Sequence, residues 1–294
     1  MFELKGFFVS LISPFKDDYS LNINGFKEHV KRVIDSDLHG MVVAGTNGEF
    51  SSLSDEERKR LYKIAVDESM GNKIVICNIG CESTCETQKL ATFCKEIGAG
   101  GVMVTPPYFI FPNDDGIFQH YKSISEKVNI PIILFNIPYL GHPNLHSDLV
   151  HRLTEIKNII GIKEANFSIY QMMDQIRFNG NKISILSGLG ANVLPAMSVG
   201  AKGVITTWPE FIPEIAFRFY DLIEKGDLKG AREIHHKILP LARSIGDAPK
   251  IKAGFKMIGL PAGPPRPPLL PSTDKERELI RKALINLGVL KEQN

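Results

Sequence analysis

Eight short apolar runs recur along the chain, each separated from the next by a longer amphipathic stretch, and this alternation restricts the fold more than any other feature. The runs are Phe7–Ile12, Gly40–Ala44, Lys73–Ile79, Gly101–Thr105, Ile130–Phe135, Ile159–Lys163, Ile183–Ser187 and Gly203–Thr207. Their apolar residues are nearly continuous rather than alternating, as expected for parallel strands covered on both faces. Helix-like stretches begin near Asn24, Asp55, Ser83, Asp114, Leu145, Ser168, Gly190 and Pro209. Ser54 with Glu57 and Ser83 with Glu86 have the spacing of capping boxes, and Pro209 suits the first turn of its helix. An open doubly wound sheet usually has about five or six strands, so eight units predict closure. The expected fold is an α/β, (β/α)8 TIM barrel over residues 1–225, with a C-terminal helical extension over 226–294. In that appendage Asp227–Ile245, Ala248–Ile258 and Thr273–Leu287 read as helices, and the stretch from Pro261 to Pro271, with six prolines, reads as a rigid loop. Its expected roles are to bury the barrel's flank and to add oligomer surface.

Composition narrows the function classes. Lys plus Arg total 35 against 33 for Asp plus Glu, a formal charge of +2. A nucleic-acid binder should show a concentrated basic stripe, and Arg58-Lys59-Arg60 reads instead as a solvated helix face. No apolar run reaches membrane-spanning length, and the first residues lack a secretory pattern. Cys77, Cys81, Cys85 and Cys94 are clustered, but no histidine lies nearby, so they read as structural or incidental thiols of a reduced, cytoplasmic protein. His29, His120, His151, His235 and His236 fall on helices or their edges, His39 precedes strand two, and His142 and His146 flank the loop after strand five. No His-x-x-x-His or histidine–carboxylate grouping stands out, which argues against a metal hydrolase. The turn Gly45-Thr46-Asn47-Gly48-Glu49 is not a dinucleotide fingerprint, and Gly98-Ala99-Gly100-Gly101 precedes a strand where a phosphate cradle would follow one.

Barrel chemistry belongs at the carboxyl ends of the strands. Lys163 ends the otherwise apolar run Ile159-Ile160-Gly161-Ile162-Lys163. Burial there would lower its proton affinity and free the amine to attack a carbonyl; the resulting protonated imine draws electrons and labilises a neighbouring carbon–carbon bond. The plainer reading is a lysine that snorkels out at the rim, paired with Glu164. Thr46 and Asn47, flanked by glycines, could hold a carboxylate through hydroxyl, amide and backbone N–H groups, or could form only a polar turn. Tyr108, stiffened by Pro106 and Pro107, could relay a proton or stack at an interface. Asn136 would brace the strand-five loop, and Trp208 reads as packing at the barrel mouth. Gly48, Asn136, Gly188 and Thr206 complete the candidate substrate-binding set beside Asn47.

Four motifs in order resemble the dihydrodipicolinate synthase and N-acetylneuraminate lyase family of class I, pyruvate-dependent aldolases, and the resemblance spans nearly the whole chain. Gly45-Thr46-Asn47-Gly48-Glu49 looks like its carboxylate-binding turn, and Val104-Thr105-Pro106-Pro107-Tyr108 like its tyrosine loop. Phe135-Asn136-Ile137-Pro138 looks like the strand-five motif, and Ile160-Gly161-Ile162-Lys163-Glu164 like the Schiff-base strand. The resemblance implies Lys163 as nucleophile, Thr46 with Asn47 as carboxylate ligands, and Tyr108 assisting from an adjoining subunit of a homotetramer built as a dimer of dimers. The implied partners are a small-molecule 2-oxo acid and an aldehyde, with no nucleic acid, membrane, metal or organic cofactor.

The chain departs from the family pattern in three places. Phe135 stands where the family has a tyrosine that shuttles protons; Thr46, Tyr108, Tyr139 or water would have to replace it. Leu140 stands where dihydrodipicolinate synthases have an arginine for the second substrate's carboxylate. Gly188 is followed by Leu189, Gly190, Ala191 and Asn192 rather than the acidic pair of sialic acid lyases. The turn Gly45-Thr46-Asn47-Gly48-Glu49-Phe50 looks closest to the 2-oxo-3-deoxy sugar-acid aldolase branch. The expected activity is therefore a Schiff-base lyase or aldolase acting on pyruvate and a 2-oxo-3-deoxy sugar acid or related short 2-oxo acid. Its alternatives are 4-hydroxy-tetrahydrodipicolinate synthase, joining pyruvate and aspartate semialdehyde, and a 2-oxo-acid-binding homologue that has lost turnover at Phe135.

Overall fold

The computed structural model describes residues 2–292. Its strands are β1 (Gly6–Ser10), β2 (Gly40–Val43), β3 (Ile74–Asn78), β4 (Gly101–Val104), β5 (Ile132–Asn136), β6 (Ile159–Glu164), β7 (Ser184–Ser187) and β8 (Gly203–Thr206). They follow one another in chain order as a closed barrel. Every expected strand is present, displaced by at most a few residues. Nearly all strand residues are buried, β2 and β5 throughout, so the unbroken hydrophobic runs have their physical counterpart.

The helices are α1 (Ile23–Ile34), α2 (Asp55–Ser69), α3 (Thr84–Glu96), α4 (Asp114–Lys127), α5 (Ser147–Leu153), α6 (Ile169–Asn179), α7 (Val193–Ser198) and α8 (Pro213–Glu224), then α9 (Leu228–Ser244), α10 (Ala248–Met257) and α11 (Asp274–Asn286). Ser54 and Glu57 form the expected capping box at α2, and Thr273 with Glu276 forms another at α11. Two local expectations need correction. Ser83 occupies the N-cap of α3, but its side chain makes no capping bond; its carbonyl instead receives the N–H and hydroxyl of Thr87. Pro209 lies in a single 3-10 turn, Trp208–Glu210, because Ile212 takes a non-helical conformation and Pro213, not Pro209, opens α8.

The chain divides into two compact units, Met1–Gly6 with Ile74–Ile205, and Phe7–Lys73 with Thr206–Asn294. Within the first, β3 to β7 pair in parallel register, with a shift at Ile132/Ile133, and α3 packs on α4 and α5 on α6. Within the second, β1 and β2 pair with Phe8 opposite Gly40, α1 packs on α2, and α9 and α10 both pack on α11. No helix among the described residues is long and apolar enough to cross a membrane. All four cysteines are free thiols, and no group of three metal-binding side chains occurs among the described residues.

Candidate active site

Alternation along β6 separates its last two residues onto opposite faces of the strand. Lys163 pairs in register with Phe135, and Glu164 with Asn136. Neighbours in register share a face, so Lys163 and Phe135 point one way and Glu164 and Asn136 the other. Lys163 is only 5% exposed, and its Nζ sits 4.0 Å from the centre of the fully buried Phe135 ring. No carboxylate lies within ion-pair distance of it among the described residues. Burial alone therefore acts on the amine and lowers its pKa to about 7. A substantial fraction is unprotonated at neutral pH, which is the state a nucleophilic amine needs. The alternative of a rim lysine paired with Glu164 does not describe this arrangement.

Gly188, at the end of β7, makes the space. A Cβ there would lie 2.7 Å from the Ala165 Cβ and 3.1 Å from both Cγ and Cε of Lys163. Any side chain at this position would push on the lysine stem. Gly188, expected among the substrate-binding residues, thus lies against Lys163 by close approach rather than through a polar contact.

Glu164 is completely buried, and its carboxylate accepts the Asn136 amide (2.9 and 3.0 Å), the Gln171 amide of α6 (3.1 Å) and the Asn166 N–H (2.8 Å). Burial raises its pKa, and these donors work against that rise. Asn136 also accepts the Leu145 N–H at 2.9 Å and donates to Asn144 at 3.0 Å. Its amide is committed to bracing the strand-five loop from the face opposite Lys163. Asn136, also expected among the substrate-binding residues, has its side-chain amide engaged by these partners.

Tyr108 is half-buried. Its N–H and that of Phe109 donate to the Glu82 carboxylate at 3.0–3.2 Å, and its ring lies 4.7 Å from that of His142. Burial lowers the pKa of His142 and keeps the imidazole neutral. Tyr139 and Leu140 are both about half exposed, and the Tyr139 ring lies tilted against that of Phe167, their centres 4.8 Å apart.

In the second unit, the turn after β2 is tightly built. Gly48 N–H donates to Gly45 and Glu49 N–H to Thr46, both at 3.0 Å, while the Ser13 hydroxyl donates to the Gly48 carbonyl at 2.7 Å. A Cβ on Gly48 would lie 3.0 Å from both Ala44 Cα and Leu11 O, so the chain passes too close for a side chain. The N–H groups of Thr46 and Asn47 donate to no acceptor among the described residues. Two free, adjacent N–H groups of this kind can receive an anion. The Asn47 amide donates to the Thr207 hydroxyl at 2.8 Å, and that hydroxyl donates to the Ser10 carbonyl at 2.6 Å. Thr207, buried and directly bonded to the turn, was not singled out by sequence; Thr206, which was, is half-buried at the end of β8.

Two buried ion pairs also escaped sequence reading. Glu49 pairs with Lys252 of α10, both nearly inaccessible, and burial lowers the Lys252 pKa to about 8 despite the neighbouring carboxylate. His29 pairs with Glu210, its other ring nitrogen 2.6 Å from the Pro261 carbonyl oxygen. Burial disfavours its cation, but Glu210 more than reverses that and holds the imidazole above its ordinary value. The expectation of no histidine–carboxylate grouping is corrected here: the partners lie 181 residues apart, beyond any local spacing pattern.

Comparison with known proteins gives a consistent result. Residues 3–287 match the family model described as the dihydrodipicolinate synthetase family. A protein of Methanopyrus kandleri named 4-hydroxy-tetrahydrodipicolinate synthase is 36% identical, the match covering 99% of each chain. One of Syntrophus aciditrophicus with the same name is 35% identical over 97% of this chain and 99% of the relative. Among solved structures, dihydrodipicolinate synthase from Aquifex aeolicus superimposes with a TM-score of 0.94 at 29% identity, covering 98% of this chain and all of that one. The enzyme from Thermotoga maritima gives 0.94 at 28% identity with the same coverage.

Proposed function

Because the chain belongs to the dihydrodipicolinate synthetase family, whose members are enzymes of the class I aldolase and lyase type, we propose that Lys163 forms an imine with pyruvate and that the derived enamine bonds to an aldehyde. The single observation that carries this reading is the buried Lys163 amine, with no carboxylate within ion-pair distance among the described residues, whose pKa burial lowers to about 7. Its lone pair adds to the pyruvate carbonyl carbon, and the carbinolamine loses water to give a protonated imine. Loss of a methyl proton gives the enamine, whose terminal carbon attacks the aldehyde carbonyl. Hydrolysis of the product imine returns the free lysine; cleavage is the same sequence reversed. The free N–H groups of Thr46 and Asn47 are assigned to the pyruvyl carboxylate, and Tyr108 to proton transfer.

The second substrate is the finer question. The names of the relatives favour aspartate semialdehyde, and hence 4-hydroxy-tetrahydrodipicolinate synthase activity, over the sugar-acid aldolase expected from the turn motif. Leu140 favours the other reading, because a half-exposed leucine offers no charged contact to a second carboxylate. Incubating the protein with pyruvate and either aspartate semialdehyde or a panel of short sugar aldehydes separates them. Consumption of the semialdehyde with formation of the cyclic product is the expected result. Turnover confined to sugar aldehydes would reverse the preference.

Homotetramer formation belongs to the same proposal. Phe109, Ile110 and Phe111, directly after Tyr108, are exposed at 84%, 69% and 57%. Three consecutive exposed apolar side chains are an unfavourable surface unless another subunit covers them. Light scattering should give four times the chain mass, and a monomer across the working concentration range would refute it.

A further inference from the structure

We propose that the C-terminal segment clamps the candidate carboxylate-binding turn, with Glu49, Lys252 and Arg266 as positioning residues for pyruvate. The inference rests on the assignment of Thr46 and Asn47 to the pyruvyl carboxylate. The turn is bracketed by two non-glycine residues in left-handed conformations, Ala44 at φ 51° and Glu49 at φ 54°. Residues with a Cβ rarely adopt that region, and such a conformation persists only where the surroundings hold it.

The surroundings that hold Glu49 come from the far end of the chain. Its carboxylate is buried, pairs with the Lys252 ammonium and accepts the Arg266 backbone N–H at 2.8 Å. Lys252 donates in turn to the Pro264 carbonyl at 3.0 Å, so one ammonium ties the turn to both α10 and the proline-rich loop. Two cations lie over the Phe15 ring, Lys252 Nζ 4.0 Å and the Arg266 guanidinium 4.2 Å from its centre. The Arg266 guanidinium also reaches the Ser52 carbonyl at 2.7 Å and the Glu57 carboxylate at 2.8 Å, just beyond the turn. At Gly263 a Cβ would lie 1.7 Å from the Phe15 carbonyl oxygen, so the loop backbone is seated directly on the segment beneath.

A buried ion pair is a weak source of net stability compared with apolar residues of similar volume. This one ends on the residue that follows Gly48 and restrains a conformation the turn would otherwise leave. Loss of the clamp should therefore loosen the anion-binding N–H groups while leaving the Lys163 amine intact.

The test is borohydride trapping of pyruvate as a function of pyruvate concentration. For Lys252→Met, the half-saturating concentration is expected to rise by about tenfold or more while the saturating trapping rate stays within about twofold of wild type. The double variant Glu49→Gln/Lys252→Met removes both charges, so its melting temperature should recover relative to the single variant. Its half-saturating concentration should stay raised; a wild-type value there would reduce the pair to a folding element and overturn the proposal. In the wild-type chain, reciprocity requires that saturating pyruvate slow hydrogen exchange in residues 248–268 as well as in 44–50. Protection confined to 44–50 would also overturn it. Failure of the wild-type protein to trap pyruvate at all would sink the imine reading itself, a separate outcome from trapping with unshifted affinity in the variants.

Discussion

Lys163→Met is expected to abolish borohydride trapping of pyruvate, lowering the yield of reduced adduct by about 10³-fold or more, into the background of surface amines. Methionine keeps the length and apolar character of the stem and removes only the amine, so loss of trapping would not report loss of the fold. Wild-type trapping should depend on pH through the same group. Below about pH 7 the amine is increasingly protonated, and the rate of imine formation should fall about tenfold per pH unit; above it the rate should level. Stability supplies an independent check on the sign. Lys163 titrates near 7 when folded and near its ordinary 10.5 when unfolded, so between those values the unfolded chain binds more protons. Wild-type stability should rise with pH across that window, by at most about 1.4 kcal/mol per unit from this residue. Lys163→Met should accordingly be more stable than wild type, most clearly below pH 7, with the advantage shrinking toward pH 10. A variant that still traps pyruvate at wild-type rate would end the imine proposal.

Phe135→Tyr should produce the largest gain. Phe135 is fully buried with its ring centre 4.0 Å from the Lys163 amine, in the register position directly beside it. A hydroxyl on that ring would supply an exchangeable proton where the imine, the attacking enamine and the new alkoxide need one. General acid–base assistance of this kind is commonly worth about 10²–10⁴ in rate. Aldehyde-dependent turnover should therefore rise by about 10²-fold or more, with the pyruvate trapping rate changed much less. The two readouts separate proton relay from imine capture. Loss of turnover, with the protein still folded, would mean that this pocket moves protons by its own route, through Tyr108, Thr46, Tyr139 or water.

The barrel was legible because its signal is redundant. Each strand is an uninterrupted hydrophobic run, and eight of them in alternation with helices leave few other architectures. Lys163 was legible for a related reason: a cation closing the run Ile159–Ile162 conflicts with its surroundings, and such a conflict singles a residue out as a candidate for function. What escaped depends on contacts that sequence spacing cannot express. Lys252 looks like one more lysine on an amphipathic helix until α10 brings it to Glu49, 203 positions earlier in the chain. Glu210 and His29 are hidden in the same way. Asn136 illustrates a different limit. Strand alternation places it opposite Phe135, but without register to β6 nothing says which of the two shares a face with Lys163. Ser83 shows that a capping spacing supplies the atoms for a bond without ensuring the geometry that closes it.

The placement of Lys163 and Glu164 on opposite faces of β6 has a consequence for how such a chain tolerates change. Lys163 and Glu164 are neighbours in sequence but stand back to back. A one-residue insertion or deletion inside the strand would exchange them, placing a carboxylate against the Phe135 ring and forcing a cation among the amides of Asn136 and Gln171. Substitutions at this strand can be graded in severity, but length changes cannot. Variation among relatives should therefore accumulate as replacements in β6 and as gaps only in the loops that flank it.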